Sequence, residues 1–238
     1  VNADIVAAQR HHNNLRHKKE NEMNRATKTI VSILGIMLGI AGFDHGFFET
    51  LQGNTPTSGL IIQAIGDTQQ MWVHGTEEAF TIVPNFLVTG LLAIAVSIAI
   101  MAWSIRFIGM KHGSTVFILL FVLLFLVGGG VGQIAFFVPT WLYSMRINKP
   151  LIWWRKVLPE TVRRFLGRMW KPSLIVCVIA FLFALEIAVF GYVPGLSSGD
   201  ADLALYICWS VLLGALVLLN FTFIAGFADD VQHLQQTA

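Results

Sequence analysis

The chain has 238 residues, of which 55% are hydrophobic and only 13% charged, with a formal net charge of +2. An average soluble domain is about a quarter charged, so this composition excludes an ordinary soluble enzyme and points to a polytopic membrane protein. No phosphate-binding loop, G-x-S-x-G elbow, H-E-x-x-H pair or dinucleotide fingerprint occurs, and no soluble domain is left in which nucleic-acid or nucleotide chemistry would sit.

Residues 1–28 are polar and basic and read as a flexible cytoplasmic tail, its His11, His12 and His17 solvated. The first apolar run, 29–48, is too long and glycine-rich for the core of a signal peptide, so it is expected to remain as a span. Its Gly35, Gly39, Gly42 and Gly46 recur at helical spacing and suit close helix packing in lipid. The link that follows is acidic. Within it, 59–73 reads as a short helix lying over the outer ends of the bundle, with Leu60, Ile61, Ala64 and Ile65 on one face. A second span is expected over 80–105.

Charge sets the topology. Residues 1–28 hold six Lys and Arg, 106–114 hold two and 144–172 hold eight, which together are all 16 in the chain. The links 49–79 and 195–202 hold none and carry only acidic charge. Basic links belong in the cytoplasm, yet 106–114 and 144–172 flank a single apolar block. A helical hairpin over 112–127 and 131–146, turning at Gly128–Gly130, resolves the conflict; the alternative is one long tilted helix whose glycines serve close packing.

Beyond the hairpin, Pro159 and Glu160 start an amphipathic helix over 159–171. Val162, Phe165, Leu166, Met169 and Trp170 form one face, and Arg163, Arg164, Arg168 and Lys171 surround the other. Such a helix is expected to lie on the cytoplasmic leaflet against anionic lipid headgroups, with no nucleic-acid partner. Spans over 173–194 and 203–227 and a cytoplasmic tail over 228–238 complete the chain. Cys177 and Cys208 sit in these spans as small core residues, and Asn220 reads as an interhelical hydrogen-bonding group. The expected fold is an all-α integral membrane bundle of about six helices, four full spans plus a short hairpin, in the cell membrane with both termini cytoplasmic.

Two copies of an H-G-x-x-E pattern fall on the external side, at His45–Glu49 and His74–Glu78. Residues four apart share a helix face, so His45, Glu49, His74 and Glu78 make a candidate set of ligands for a divalent transition metal. Glu186, within the span 173–194, is the candidate proton- or ion-handling residue, with Asp44 and Asn85 on the same side, because ionisable groups inside a membrane are costly. Three function classes follow: transport, or an accessory to it, handling a cation or proton; a metal-binding membrane protein or enzyme; and a non-catalytic scaffold joining copies of itself or partner subunits. Transport ranks first and an enzyme is the less favoured reading.

Overall fold

In the computed structural model, which describes residues 23–197 and 199–236, the first apolar block becomes helix α1 (Arg25–Leu51). It begins inside the segment expected to be a flexible tail. Its first N–H groups find an acceptor far along the chain: Asp230 takes the Ala26 N–H at 2.8 Å, the Thr27 N–H at 2.9 Å and the Thr27 hydroxyl at 2.6 Å. A carboxylate there satisfies donors that no helix can satisfy internally and opposes the positive end of the dipole. The tail reading of residues 1–22, with its three histidines, lies outside the described residues.

Helix α2 (Phe86–Arg106) runs along α1, and the glycine stripe is the seam. A Cβ added at Gly42 would stand 2.6 Å from Ser97 Oγ, and one at Gly46 would stand 2.7 Å from the Gly90 carbonyl oxygen. The stripe is therefore used for packing, as its spacing predicts. It also makes α1 the central helix, with 61% of its apolar window buried against 33–44% in the other long helices.

The block with three consecutive glycines is a hairpin. Helix α3 (Gly113–Leu126) ends in an extended strand β3 (Val127–Gly130), a 3-10 turn follows at Val131–Gln133, and α4 (Ile134–Ser144) returns. Both feet stand at the same end, since Asn148 donates to the Gly109 carbonyl at 2.9 Å and the Asn24 N–H donates to the Ile147 carbonyl at 2.9 Å. The helical arms are shorter than 112–127 and 131–146 because the glycines unwind the tip. Gly128 has φ 114°, a conformation that side-chain-bearing residues rarely adopt. Unwound backbone at this depth must find hydrogen-bond partners, and strand β2 (Glu78–Thr81) supplies them, pairing Ala79 with Gly130 and Phe80 with Gly129.

The acidic link is thus not a helix over 59–73. It forms β1 (Ile61–Gln63), paired antiparallel with β2, so the sheet order is β1-β2-β3. Two adjacent β-branched residues, Ile61 and Ile62, favour the strand. Gln52, just past α1, holds its end by donating to the Gln63 and Ala64 carbonyls at 3.0 and 2.8 Å. The link still caps the bundle: Ile65 packs against Phe48 and Val189, and Trp72 donates to the Ala188 carbonyl at 2.9 Å.

After a short α5 (Ile152–Val157), the amphipathic stretch and the next span are one helix, α6 (Glu160–Phe190), and not an interfacial helix followed by a separate span. Pro172 removes a backbone bond, but the turns on both sides of it rest on α7 (Ala201–Gln236). Gln232 donates to the Arg163 carbonyl at 2.6 Å, and the Thr222 hydroxyl donates to Ser173 Oγ at 3.0 Å. The expected C-terminal tail is likewise the end of α7 as far as Gln236. Tyr143 on α4 donates to Asn220 Oδ1 at 3.1 Å, the interhelical bond that its sequence position suggests. Four helices, α1, α2, α6 and α7, are long and apolar enough to cross a membrane.

Candidate functional site

The acidic end of the bundle is where chemistry-bearing side chains converge. His45 and Glu49 lie one turn apart on α1, 5% and 0% exposed. The hairpin tip lies directly over them: a Cβ at Gly130 would strike the His45 ring, and one at Gly128 would strike the Glu49 carboxylate. Only a glycine backbone fits in that space.

The sheet then delivers a third group. Because Ala79 pairs with Gly130 at the His45 ring, the residue just before β2 comes to the same place. That residue is Glu77, and its carboxylate meets His45 Nε2 at 2.5 Å. Burial works to raise the Glu77 carboxyl, but the charge of His45 and its hydrogen bond together outweigh this and hold it below its ordinary value of 4.5. Asp44, half-buried, adds negative charge within electrostatic reach of both.

Glu49 is treated differently. Both of its carboxylate oxygens are buried with no hydrogen-bond partner, and His45 Nδ1 is in the same condition. Gln133, on the turn that follows the hairpin tip, is 9% exposed and has both side-chain amide atoms buried and unpartnered. Buried polar groups are normally hydrogen-bonded, so each such group calls for an explanation. An ionised carboxylate without solvent, donor or counter-charge is among the costliest arrangements a protein holds.

The two sequence copies therefore meet different fates. His45 and Glu49 sit together inside the bundle, whereas His74 and Glu78 do not. A turn at Gly75 breaks the helical spacing, Glu78 is exposed on β2, and His74 pairs with Asp202 at the start of α7 at 2.8 Å. The two copies do not converge on one centre. Among the described residues no group of three or more His, Cys, Asp or Glu side chains is placed to hold a metal ion.

Asn85 caps α2, accepting the Val88 N–H at 3.1 Å and donating to Asn54 at 2.7 Å. Glu186 lies nearer the end of its helix than a span ending at 194 implies. Helix α6 stops at Phe190, where Gly191 takes a left-handed φ of 66° beneath the Trp72 ring, so Glu186 lies one turn from the end. It is exposed, in line with the exposed Ile175, Ile179, Leu182 and Phe190, and does not join the buried cluster.

At the opposite, basic end, Arg163 is turned inward at 6% exposure while Phe165 is 64% exposed, so the face that meets α7 carries an arginine. Arg164 pairs with Glu160 at 2.8 Å, and Lys171 lies over the Trp170 ring at 5.4 Å. Arg168 and Lys171, both exposed, line a shallow cavity of about 470 Å³ with Asp229 and Asp230.

Sequence reading missed Glu77 as the partner of His45, because that contact depends on a strand register. It also passed over Gln133, whose buried and unpartnered amide sits on the turn after the hairpin tip. No family model, curated protein or solved structure matches the chain, so the role of this end rests on its geometry.

Proposed function

We propose that this chain is a multi-pass membrane protein that handles a cation or a proton at the site beneath the hairpin tip, in transport or as an accessory to transport. Glu49 carries the reading: it is fully buried, with both oxygens unpartnered, beside a histidine already committed to Glu77. A carboxylate so placed is stable only when it takes up positive charge, which is the elementary act of such a site. The unwound hairpin pointing at it supports the same reading, since interrupted membrane helices are where transporters hold ions.

The membrane arrangement belongs to this proposal. Four spans and the hairpin make six membrane helices. The basic end faces the cytoplasm, with both described termini there, and the acidic end faces outward. Arg164, Arg168 and Lys171 then stand at the anionic headgroups, with Phe165 and Val162 in the lipid boundary.

The test is flux into proteoliposomes loaded with a pH-sensitive or cation-sensitive dye. Wild type is expected to conduct, and Glu49→Gln, with its melting profile retained, is expected to abolish the signal. Unchanged flux in a folded Glu49→Gln protein overturns the site. Flux lost in Glu186→Gln but kept in Glu49→Gln moves the function to the exposed stripe of α6.

A further inference from the structure

Two cavities at the basic end of the bundle differ in charge. The one between α1, α6 and α7 is lined by Asp229 and Asp230 as well as by cations. The other, of about 660 Å³, lies between the feet of the hairpin, where the turn after α2, the start of α3 and the end of α4 meet, and no carboxylate lines it. Its polar groups fall into two sets. Asn148 and Ser144 are committed to the walls, donating to the Gly109 carbonyl at 2.9 Å and to the Trp141 carbonyl at 2.6 Å. Lys111, Lys149, Ser114 and Thr115 are not committed. Among the described residues neither lysine is in an ion pair, and neither hydroxyl makes a hydrogen bond to the protein. The first turn of α3 brings no acidic side chain to offset them. Two ammonium groups and two hydroxyls around one space form a donor-rich set with two positive charges, which matches the acceptor oxygens and negative charge of a phosphate.

The surroundings of the cavity add an apolar requirement. Helices α3 and α4 pack on each other through Phe121 and Phe137, whose ring centroids are 3.5 Å apart, and this leaves another face of each helix turned outward. On α3 the exposed stripe runs from Thr115 through Leu119 and Val122, and on α4 it runs from Met145, which ends the helix, through Leu142 and Val138. Thr115 and Met145 also line the cavity, so both stripes begin at it. A molecule with a phosphate at one end and apolar chains at the other uses the cavity and the stripes together, whereas inorganic phosphate uses only the first. A zwitterionic headgroup would bring an ammonium group for which the lining holds no carboxylate, so the charge match requires a net negative headgroup.

We infer that the feet of the hairpin form a discrete site for one anionic phospholipid, its phosphate held by Lys111, Lys149, Ser114 and Thr115 and its acyl chains laid along the α3 and α4 stripes. The site uses none of the cations of α6 and is independent of Glu49 at the opposite end. The experiment titrates the purified whole chain in a neutral detergent with dioleoyl phosphatidylglycerol, with dioleoyl phosphatidylcholine or with inorganic phosphate, at one pH and one ionic strength, and follows Tm. Phosphatidylglycerol is expected to raise Tm in a saturable way, on the order of 5 °C at saturation, and the other two are not. Native mass spectrometry of wild type in an equimolar mixture of the two lipids is expected to retain one phosphatidylglycerol per chain. Lys111→Gln combined with Lys149→Gln, both at exposed positions, is expected to raise the half-saturating concentration roughly tenfold. Arg164→Gln combined with Arg168→Gln is expected to leave it unchanged. An equal response to both lipids, or no retained phosphatidylglycerol, overturns the inference on wild type alone. A full response to inorganic phosphate overturns the lipid as the occupant. A response lost in the arginine variant and kept in the lysine variant moves the lipid to α6 and overturns this site.

Discussion

Asp230 and Glu49 are carboxylates buried to a similar degree, 2% and 0% exposed, at opposite ends of the same bundle. Asp230 accepts three hydrogen bonds from the first turn of α1. Glu49 accepts none. Burial by itself therefore does not tell these two carboxylates apart; the inventory of partners does. The first is a cap that joins the last helix to the first, and the second is a buried carboxyl whose two oxygens meet no hydrogen-bond partner.

The largest test of this contrast is a pair of substitutions. Asp230→Ala leaves two backbone donors and a hydroxyl buried without an acceptor and is expected to cost about 2–4 kcal/mol. Glu49→Gln removes an uncompensated ionisable group and is expected to stay within about 1 kcal/mol of wild type, or to stabilise. Chemical denaturation in detergent reads both, and equal losses would break the contrast.

Next in size is the hairpin tip. Gly128→Ala forces a side chain into a positive-φ position and against the Glu49 carboxylate, and is expected to cost about 1–3 kcal/mol. Gly132→Ala, where an added Cβ meets nothing within 4 Å, is expected to change stability by less than about 0.5 kcal/mol. A silent Gly128→Ala would show that the tip does not press on the site.

The smallest effect is the acid response of Glu77. Its folded-state carboxyl is held below the ordinary 4.5. The stability it contributes is therefore fully present above its unfolded value and is lost as pH falls through the lower, folded one. Tm should decline across that acid window, and His45→Gln should flatten the decline. A wild-type Tm that rises on acidification through this window would give the pair the opposite sign.

Much of the fold was legible because membrane helices are written in composition. Long apolar runs, the confinement of lysine and arginine to alternate links, and three adjacent glycines were enough to place the four long helices and the hairpin. The glycine stripe and Asn220 declared their packing through spacing and polarity. What could not be read depended on distant partners. Whether Pro172 ends a helix depends on the bed that α7 provides on both sides of it, and whether Ile61–Gln63 is strand or helix depends on β2 lying alongside. The site was half legible for the same reason. His45 and Glu49 share a face by helical period alone, whereas Glu77 arrives by strand register.

The cap that Asp230 places on α1 spans 204 residues of sequence. A chain emerging in order therefore has the first turn of α1 in place long before residue 230, its acceptor, has been made. Until then the Ala26 and Thr27 donors lack the carboxylate that takes them in the folded chain. The final turns of α7 thus hold the acceptors for the first turn of α1, and a chain stopped short of residue 230 lacks that clasp.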